Sequence, residues 1–229
     1  MSNYNYDNFS SDKYNFEISQ GLKVGDTAID VKLETTDGEY RNLLDFNGEY
    51  LVLEMGSITC PLFQGRRDSM SKIANDFKNI SFAVLYVREA HPGSNIKSHE
   101  SYNDKKKCAI ELRSSEKEQR IIFIDNIEGD AHKIYGSMPN AVFILNKKRE
   151  IVFKLDWNNP ILVRKAIKAL MNNKEISTED FFYPVKPTVV KRVLKKAGKG
   201  SAKDFFSSLP ILIWKNLIKR NLRSLFRRK

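Results

Sequence analysis

Residues 51–63 read Leu51-Val52-Leu53-Glu54-Met55-Gly56-Ser57-Ile58-Thr59-Cys60-Pro61-Leu62-Phe63. The run from Tyr50 to Met55 has the near-continuous apolar character of a central strand covered on both faces. Gly56-Ser57 interrupts it, and Pro61 suits the first position of a helix, where its missing N–H costs nothing. The turn therefore delivers Cys60 to a helix N-terminus. Unpaired N–H groups and roughly half a positive charge at that point should stabilise a thiolate and lower the thiol pKa from about 8.5.

Elements of both kinds extend outward from this turn. Upstream, Ala28 to Thr35 alternates like a strand and Thr36-Asp37-Gly38-Glu39 is a hairpin signal. Downstream, Phe63, Met70, Ile73, Ala74 and Phe77 recur at helical spacing, which predicts a helix from Pro61 to about Lys78. Ser81–Val87 and Ile121–Ile124 are the next strands, with a helix near Asp104–Lys117 between them. Ala141–Leu145 and Glu150–Phe153 flank a turn as a hairpin, and Pro160–Met171 closes the series as an amphipathic helix. Alternating strands and helices, then a hairpin and a last helix, predict an α/β fold, a thioredoxin-like (peroxiredoxin-type) sandwich with a central mixed sheet. C-terminal basic amphipathic helices follow it. The expected division is a polar flexible leader at 1–20, a redox domain at 21–183 and a basic helical tail at 184–229.

The net charge of +11 is unevenly placed. Residues 1–185 hold 25 Lys/Arg and 27 Asp/Glu; residues 186–229 hold 14 Lys/Arg and one acid, Asp204. Any acidic partner therefore concerns the tail. Val189, Val190, Val193, Leu194 and Ala197 predict a short helix stopped at Gly198-Lys199-Gly200. A second helix is predicted from about Ser208-Leu209-Pro210. It would place Ile211, Trp214, Leu217, Ile218, Leu222 and Leu225 on one side and Lys219, Arg220, Arg223 and Arg227 on the other. Trp and Phe on the apolar side favour an anionic membrane surface met through 201–229. Docking on the chain's own core or in a homodimer, and nucleic acid attracted by charge alone, rank below it. Two cysteines are too few for a disulfide-built secreted scaffold and lack metal-ligand spacing, so no metal is expected. The stretch after Met1 is polar rather than apolar, and the cytoplasm, with a peripheral membrane option, is the expected location.

Cys60 has no Cys-x-x-Cys partner, because Phe63 stands three residues on. A single thiol of this kind attacks one electrophilic oxygen, sulfur or halogen atom and is regenerated by another thiol. His91 follows the next parallel strand, and loops at strand carboxyl ends lie side by side, so His91 and nearby His99 are expected close to Cys60. Cys108 could resolve an oxidised Cys60, but its neighbours Ala109, Ile110 and Leu112 favour buried packing. Met138-Pro139 precedes a strand where thioredoxin-like folds often carry a cis-proline, and either isomer is open. The thiol could also be a structural group in a scaffold or partner-binding module.

Four colinear segments resemble the iodothyronine deiodinases. Gly56 to Phe63 resembles their active-site segment, where a selenocysteine usually stands at the position of Cys60. Glu89-Ala90-His91 is similar to a Glu-Ala-His element, His99 to Lys105 to a second histidine segment, and Tyr135-Gly136 with the following strand to a fourth. The resemblance runs from about Val24 to Leu170. It implies Cys60 as nucleophile, His91 and His99 as hydrogen-bonding or proton-donating partners, and Ser57, Thr59 and Glu89 as support. Ile58 and Pro92-Gly93-Ser94 depart from the family pattern. The segment also resembles peroxiredoxins more weakly, with Ser57 in the place of their motif threonine and Leu53 in place of their proline. These readings imply a small-molecule or peroxide substrate and no resident cofactor, with an external thiol such as thioredoxin or glutathione as reductant.

Overall fold

The computed structural model describes residues 4–17, 19–176 and 181–226. Seven strands form it: β1 (Lys32–Thr35), β2 (Tyr40–Asn42), β3 (Tyr50–Gly56), β4 (Ser81–Tyr86), β5 (Ile121–Ile124), β6 (Val142–Asn146) and β7 (Ile151–Leu155). They join in one mixed sheet of order β2-β1-β5-β4-β3-β6-β7. The parallel centre is β3–β4–β5, with Met55 opposite Leu85 and Leu85 opposite Phe123; β6 runs antiparallel to β3, with Leu53 opposite Phe143. The helices are α1 (Pro61–Asp76), α2 (Tyr102–Ser114), α3 (Asp130–Ile134), α4 (Pro160–Met171), α5 (Pro187–Ala197), α6 (Ser201–Leu212) and α7 (Asn221–Phe226). This is the expected thioredoxin-like sandwich. The added α3 is too short for its apolar spacing to register as a period.

Alternate strand residues point to opposite faces, and the two faces are covered differently. Val52, Phe82, Val84, Val142 and Ile144 meet α1, α2 and α4 through Met70, Ile73, Ala109, Leu112, Val163 and Ile167. Leu51, Leu53, Met55, Leu85 and Phe143 face the other way. Among the described helices before the tail, α3 covers that side with Leu62 of α1 at its edge, and the N-terminal segment adds much of the remainder. Tyr6, Phe9, Tyr14 and Phe16 are buried in this second core beside Tyr135 and Trp157. Tyr6 donates its hydroxyl to the Ala90 carbonyl at 2.9 Å. The Arg88 guanidinium lies about 5 Å from the ring centres of Tyr4, Tyr6 and Tyr14. A flexible leader is therefore not what residues 4–17 form. Its aromatics are separated by polar residues without a regular period, yet the bare sheet face needs them.

The tail also departs from expectation. α5 ends at Gly198 as predicted, but the following helix starts at Ser201 rather than near Pro210, and Pro210 lies inside it. Proline removes one N–H from the ladder, and three residues later the winding becomes π-helical over Ile213–Arg220 before α7 resumes. Wider winding rotates the side chains. Leu212 and Asn216 turn inward, Asn216 accepting from Trp157 Nε1 at 2.9 Å. Arg220 and Lys219 pair with Asp156 and Glu17 at 3.2 and 2.7 Å. Ile211, Trp214, Ile218, Leu222 and Leu225 are left exposed. The predicted position of Arg227 lies outside the described residues. No helix among the described residues is long and apolar enough to cross a membrane.

Two buried imidazoles are held neutral by this packing. His132 sits between Tyr4 OH at 2.8 Å and the Met138 carbonyl at 2.9 Å, and His91 between the rings of Phe9 and Phe205. Burial pushes both well down, to about 3. The unfolded chain binds protons at these residues from about pH 6.5 downward, whereas the folded chain does not. The stability they contribute is complete above pH 6.5 and is lost as pH falls toward 3. Urea unfolding should show a loss of about 2–3 kcal/mol per histidine between pH 6.5 and 4.5. Unchanged stability over that interval would show that the two rings are not kept neutral.

Candidate functional site

Cys60 is the N-cap of α1, immediately before Pro61, as the sequence predicts. The strand-to-helix turn is tight because Gly56 lies against the Phe63 ring, where a Cβ would stand 2.3 Å from Phe63 Cδ2. Cys60 is only 2% exposed, and it lines a large apolar cavity that is partly open to solvent. Here the electrostatic expectation fails. Burial pushes the thiol up to about 11, although the N–H groups of Phe63 and Leu62 and the nearby Arg66 guanidinium pull the other way. The helix terminus acts as expected, but removal of water outweighs it.

Behind the turn lies Glu89, whose side chain is fully buried. Its Oε2 accepts from Thr59 N at 3.0 Å and from Thr59 Oγ1 at 2.6 Å. Its Oε1 accepts from Tyr86 OH and meets His99 Nε2 at 3.2 Å. Burial alone would raise the Glu89 carboxyl. The hydrogen bond and charge of His99, with the hydroxyls of Thr59 and Tyr86, outweigh it and hold the carboxyl below the usual range. Thr59 Oγ1 in turn accepts from His91 N at 3.1 Å, and Ser57 Oγ accepts from Ala90 N at 3.3 Å. One carboxylate thus ties the cysteine turn to the loop that carries His91.

The predicted residues divide into two groups. Cys60, His91 and Pro139 line the cavity together. His99, Glu89, Thr59 and Ser57 form the support behind it, and His99 reaches the thiol's turn only through Glu89 and Thr59. The Met138–Pro139 peptide is trans. His91 Nδ1 has no hydrogen-bond partner among the described residues. Cys108 is half-buried on α2, does not line the cavity, and is pushed up to about 12 by burial. Its sulfur instead faces Glu89 and His99, the three ligand-type atoms lying within 4.8 Å of one another. The spacing argument against metal ligands does not reach this spatial cluster. Its carboxylate is already engaged by three hydrogen-bonding groups.

Arg66 was not singled out in the sequence. It is buried on α1, donates to Asn140 Oδ1 at 2.9 Å and to the Tyr183 carbonyl at 2.7 Å, and favours the charged form of Cys60. Burial brings its own pKa down to about 10, so it remains a cation at neutral pH. An arginine in an otherwise apolar helix face six residues after the cysteine was the available signal.

The cavity holds about 1260 Å³. Cys60, Pro61, Ala90 and His91 form its floor, and Phe9, Phe16 and Trp157 one wall. The roof is the tail: Val190 and Leu194 of α5, Phe205 and Leu209 of α6, and Ile213 and Leu217 of the π-helical stretch. The His91 loop touches α5 directly at Gly93, where a Cβ would meet the Ala197 carbonyl oxygen at 2.6 Å.

Part of the chain is similar to known proteins. Residues 6–160 match the iodothyronine deiodinase family. A type I iodothyronine deiodinase of Xenopus laevis is 27% identical over 142 residues, covering 57% of this chain and 56% of its own. A type II enzyme of Sus scrofa is 29% identical over 133 residues, covering 51% and 49%. The chain thus spans about half the length of the curated relatives it matches. Among solved structures, a peroxiredoxin-like protein from Aquifex aeolicus superposes with a TM-score of 0.51 at 15% identity, covering 67% of this chain and 90% of that one. That likeness is one of fold. With its cysteine turn, Glu-Ala-His element and second histidine in colinear order on this sheet, the chain belongs to the iodothyronine deiodinase family.

Proposed function

We propose that this chain is a thiol oxidoreductase in which Cys60 attacks an electrophilic oxygen, sulfur or halogen atom. The observation that carries the reading is the opening of the α1 N-cap thiol onto an apolar cavity shared with His91. In the reaction, Cys60–SH and X–R give Cys60–S–X and H–R. The Sγ–X bond forms, the X–R bond breaks with its electron pair leaving on R, and the thiol proton ends on R. Two equivalents of an external thiol, such as thioredoxin or glutathione, then restore Cys60–SH and leave H–X and a disulfide.

Burial disfavours charge on both the Cys60 thiol and the His91 imidazole. A separated thiolate–imidazolium pair is therefore costly before substrate arrives. Proton movement from sulfur must accompany Sγ–X bond formation, with neutral His91 as acceptor and then donor to the leaving group. Arg66 and the α1 amides stabilise the negative charge developing on sulfur. The Glu89–Thr59 contacts position the turn and the His91 loop relative to one another.

The burial of Cys60 and its raised pKa also suit the second reading, a redoxin-fold scaffold or partner-binding module with a structural thiol. Alkylation by iodoacetamide should be slower than for free cysteine at pH 7 and climb about tenfold per pH unit toward pH 11. A plateau below pH 9 would contradict the buried, neutral thiol. Cys60→Ser should abolish thiol-dependent consumption of peroxide and of an aryl iodide, while Cys108→Ser retains it within about twofold. Undiminished turnover by Cys60→Ser would remove Cys60 as the nucleophile, and no turnover by the unaltered chain would favour the scaffold reading.

The exposed row Ile211, Trp214, Ile218, Leu222 and Leu225, with Lys203, Lys215 and Arg223 on the same tail, supports contact with an anionic membrane surface. The full chain should sediment with vesicles containing anionic lipid, and Trp214→Asp/Leu222→Asp should remain in the supernatant. Equal sedimentation of both forms would exclude the tail's apolar row as the contact.

A further inference from the structure

We infer that the cavity above Cys60 is a binding site for a long-chain carboxylate, held with its chain along the apolar interior and its head at a lysine cluster on the rim. The inference deepens the oxidoreductase reading and, for its chemical part, rests on it. At about 1260 Å³ the cavity exceeds the roughly 300–1,000 Å³ of ordinary small-molecule pockets. Its floor, wall and roof are almost wholly carbon: Phe9, Phe16, Leu62, Leu194, Phe205 and Leu209 all contribute. A space of this kind rewards apolar length more than hydrogen bonding.

The polar groups at the cavity are unequally distributed. Lys191, Lys195 and Lys199 all line it: Lys191 and Lys195 share one side of α5, and Lys199 follows the Gly198 turn that ends the helix. All three are exposed, and none has an ion-pair partner among the described residues. Lys196, on the side of α5 facing α2, is paired with both Glu111 and Glu116, at 2.8 and 2.6 Å. The helix thus neutralises Lys196 against the domain, and α5 with the turn after it leaves three cations where the apolar cavity meets solvent. No acidic residue lines the cavity among the described residues. An apolar interior with an uncompensated cationic rim matches an anionic single-chain amphiphile, and the cluster suits a carboxylate head.

Cys60 sits on the floor rather than at the rim, so a chain anchored at the lysines would present a middle carbon to the thiol. If that carbon bears a hydroperoxide, Sγ bonds to the distal oxygen and the O–O bond breaks. The thiol proton and the electron pair pass to the proximal oxygen, giving the alcohol. The resulting Cys60–S–OH is returned to thiol by two equivalents of external thiol, with release of water and a disulfide.

Binding can be measured apart from chemistry by displacement of a fluorescent long-chain carboxylate from the full chain and from Cys60→Ser, with competitors kept below their micelle-forming concentrations. Hexadecanoate should compete equally in both proteins. Each methylene removed from it should weaken binding about three- to fourfold. Hexadecanol should compete at least tenfold less well. Lys191→Glu/Lys195→Glu/Lys199→Glu should lose at least tenfold for hexadecanoate but not for hexadecanol, and Ala202→Trp, which fills the roof, should lose both ligands. Saturating hexadecanoate should slow alkylation of Cys60 at least tenfold. Indifference to chain length, to the lysines or to Ala202→Trp, or unprotected alkylation, would overturn the site. Normal binding with no Cys60-dependent turnover of a long-chain carboxylate hydroperoxide would leave the binding site standing and remove the peroxide step, and no turnover of any peroxide, disulfide or aryl iodide would remove the oxidoreductase reading.

Discussion

The geometry around Cys60 depends on one buried carboxylate. Glu89 receives the backbone and side chain of Thr59, the hydroxyl of Tyr86 and the imidazole of His99, and so joins β4, its following loop and the turn into α1. An ionised carboxylate without these partners would be costly in such a place, which makes the arrangement mutually enforcing. Removing any donor would leave the remaining groups poorly compensated. The position of the thiol relative to His91 is therefore a consequence of satisfying Glu89, rather than of direct contact between cysteine and histidine.

A second constraint is the unequal cover of the sheet. Helices α1, α2 and α4 occupy one face, and the opposite face is closed by α3 with aromatic residues from the N-terminal segment. The tail then crosses near the same edge, held by Trp157 to Asn216 and Asp156 to Arg220. Phe9 from one end and Phe205 from the other close on the His91 ring, with centres 4.1 and 5.2 Å from it. The enclosure that raises the thiol pKa and lowers that of the imidazole is built by segments remote from both in sequence.

That remoteness explains what could and could not be read from the chain. The turn at Gly56–Pro61, the parallel strands and the helix from Pro160 to Met171 are written in local spacing, and each forms where its pattern places it. Glu89, His91 and His99 were legible because parallel topology brings strand ends together. The charge state of Cys60 was not, because a helix N-terminus is a local feature whereas burial depends on residues brought together by the fold, among them Phe63, Ala90 and Ile96. The leader's aromatics lack a period, and the inward turn of Asn216 depends on π-helical winding after Pro210 that a regular 100° step does not describe.

The roof over Cys60 also imposes an order on assembly. The cysteine turn and Glu89 are encoded within some forty residues, whereas α5 and α6 follow about a hundred residues later. As domains fold while they emerge from the ribosome at roughly 5–20 residues per second, the sulfur would be in place for several seconds before the tail could roof it. During that interval the thiol would be less enclosed and closer to ordinary acidity, so newly made chains would be more open to oxidation than finished ones.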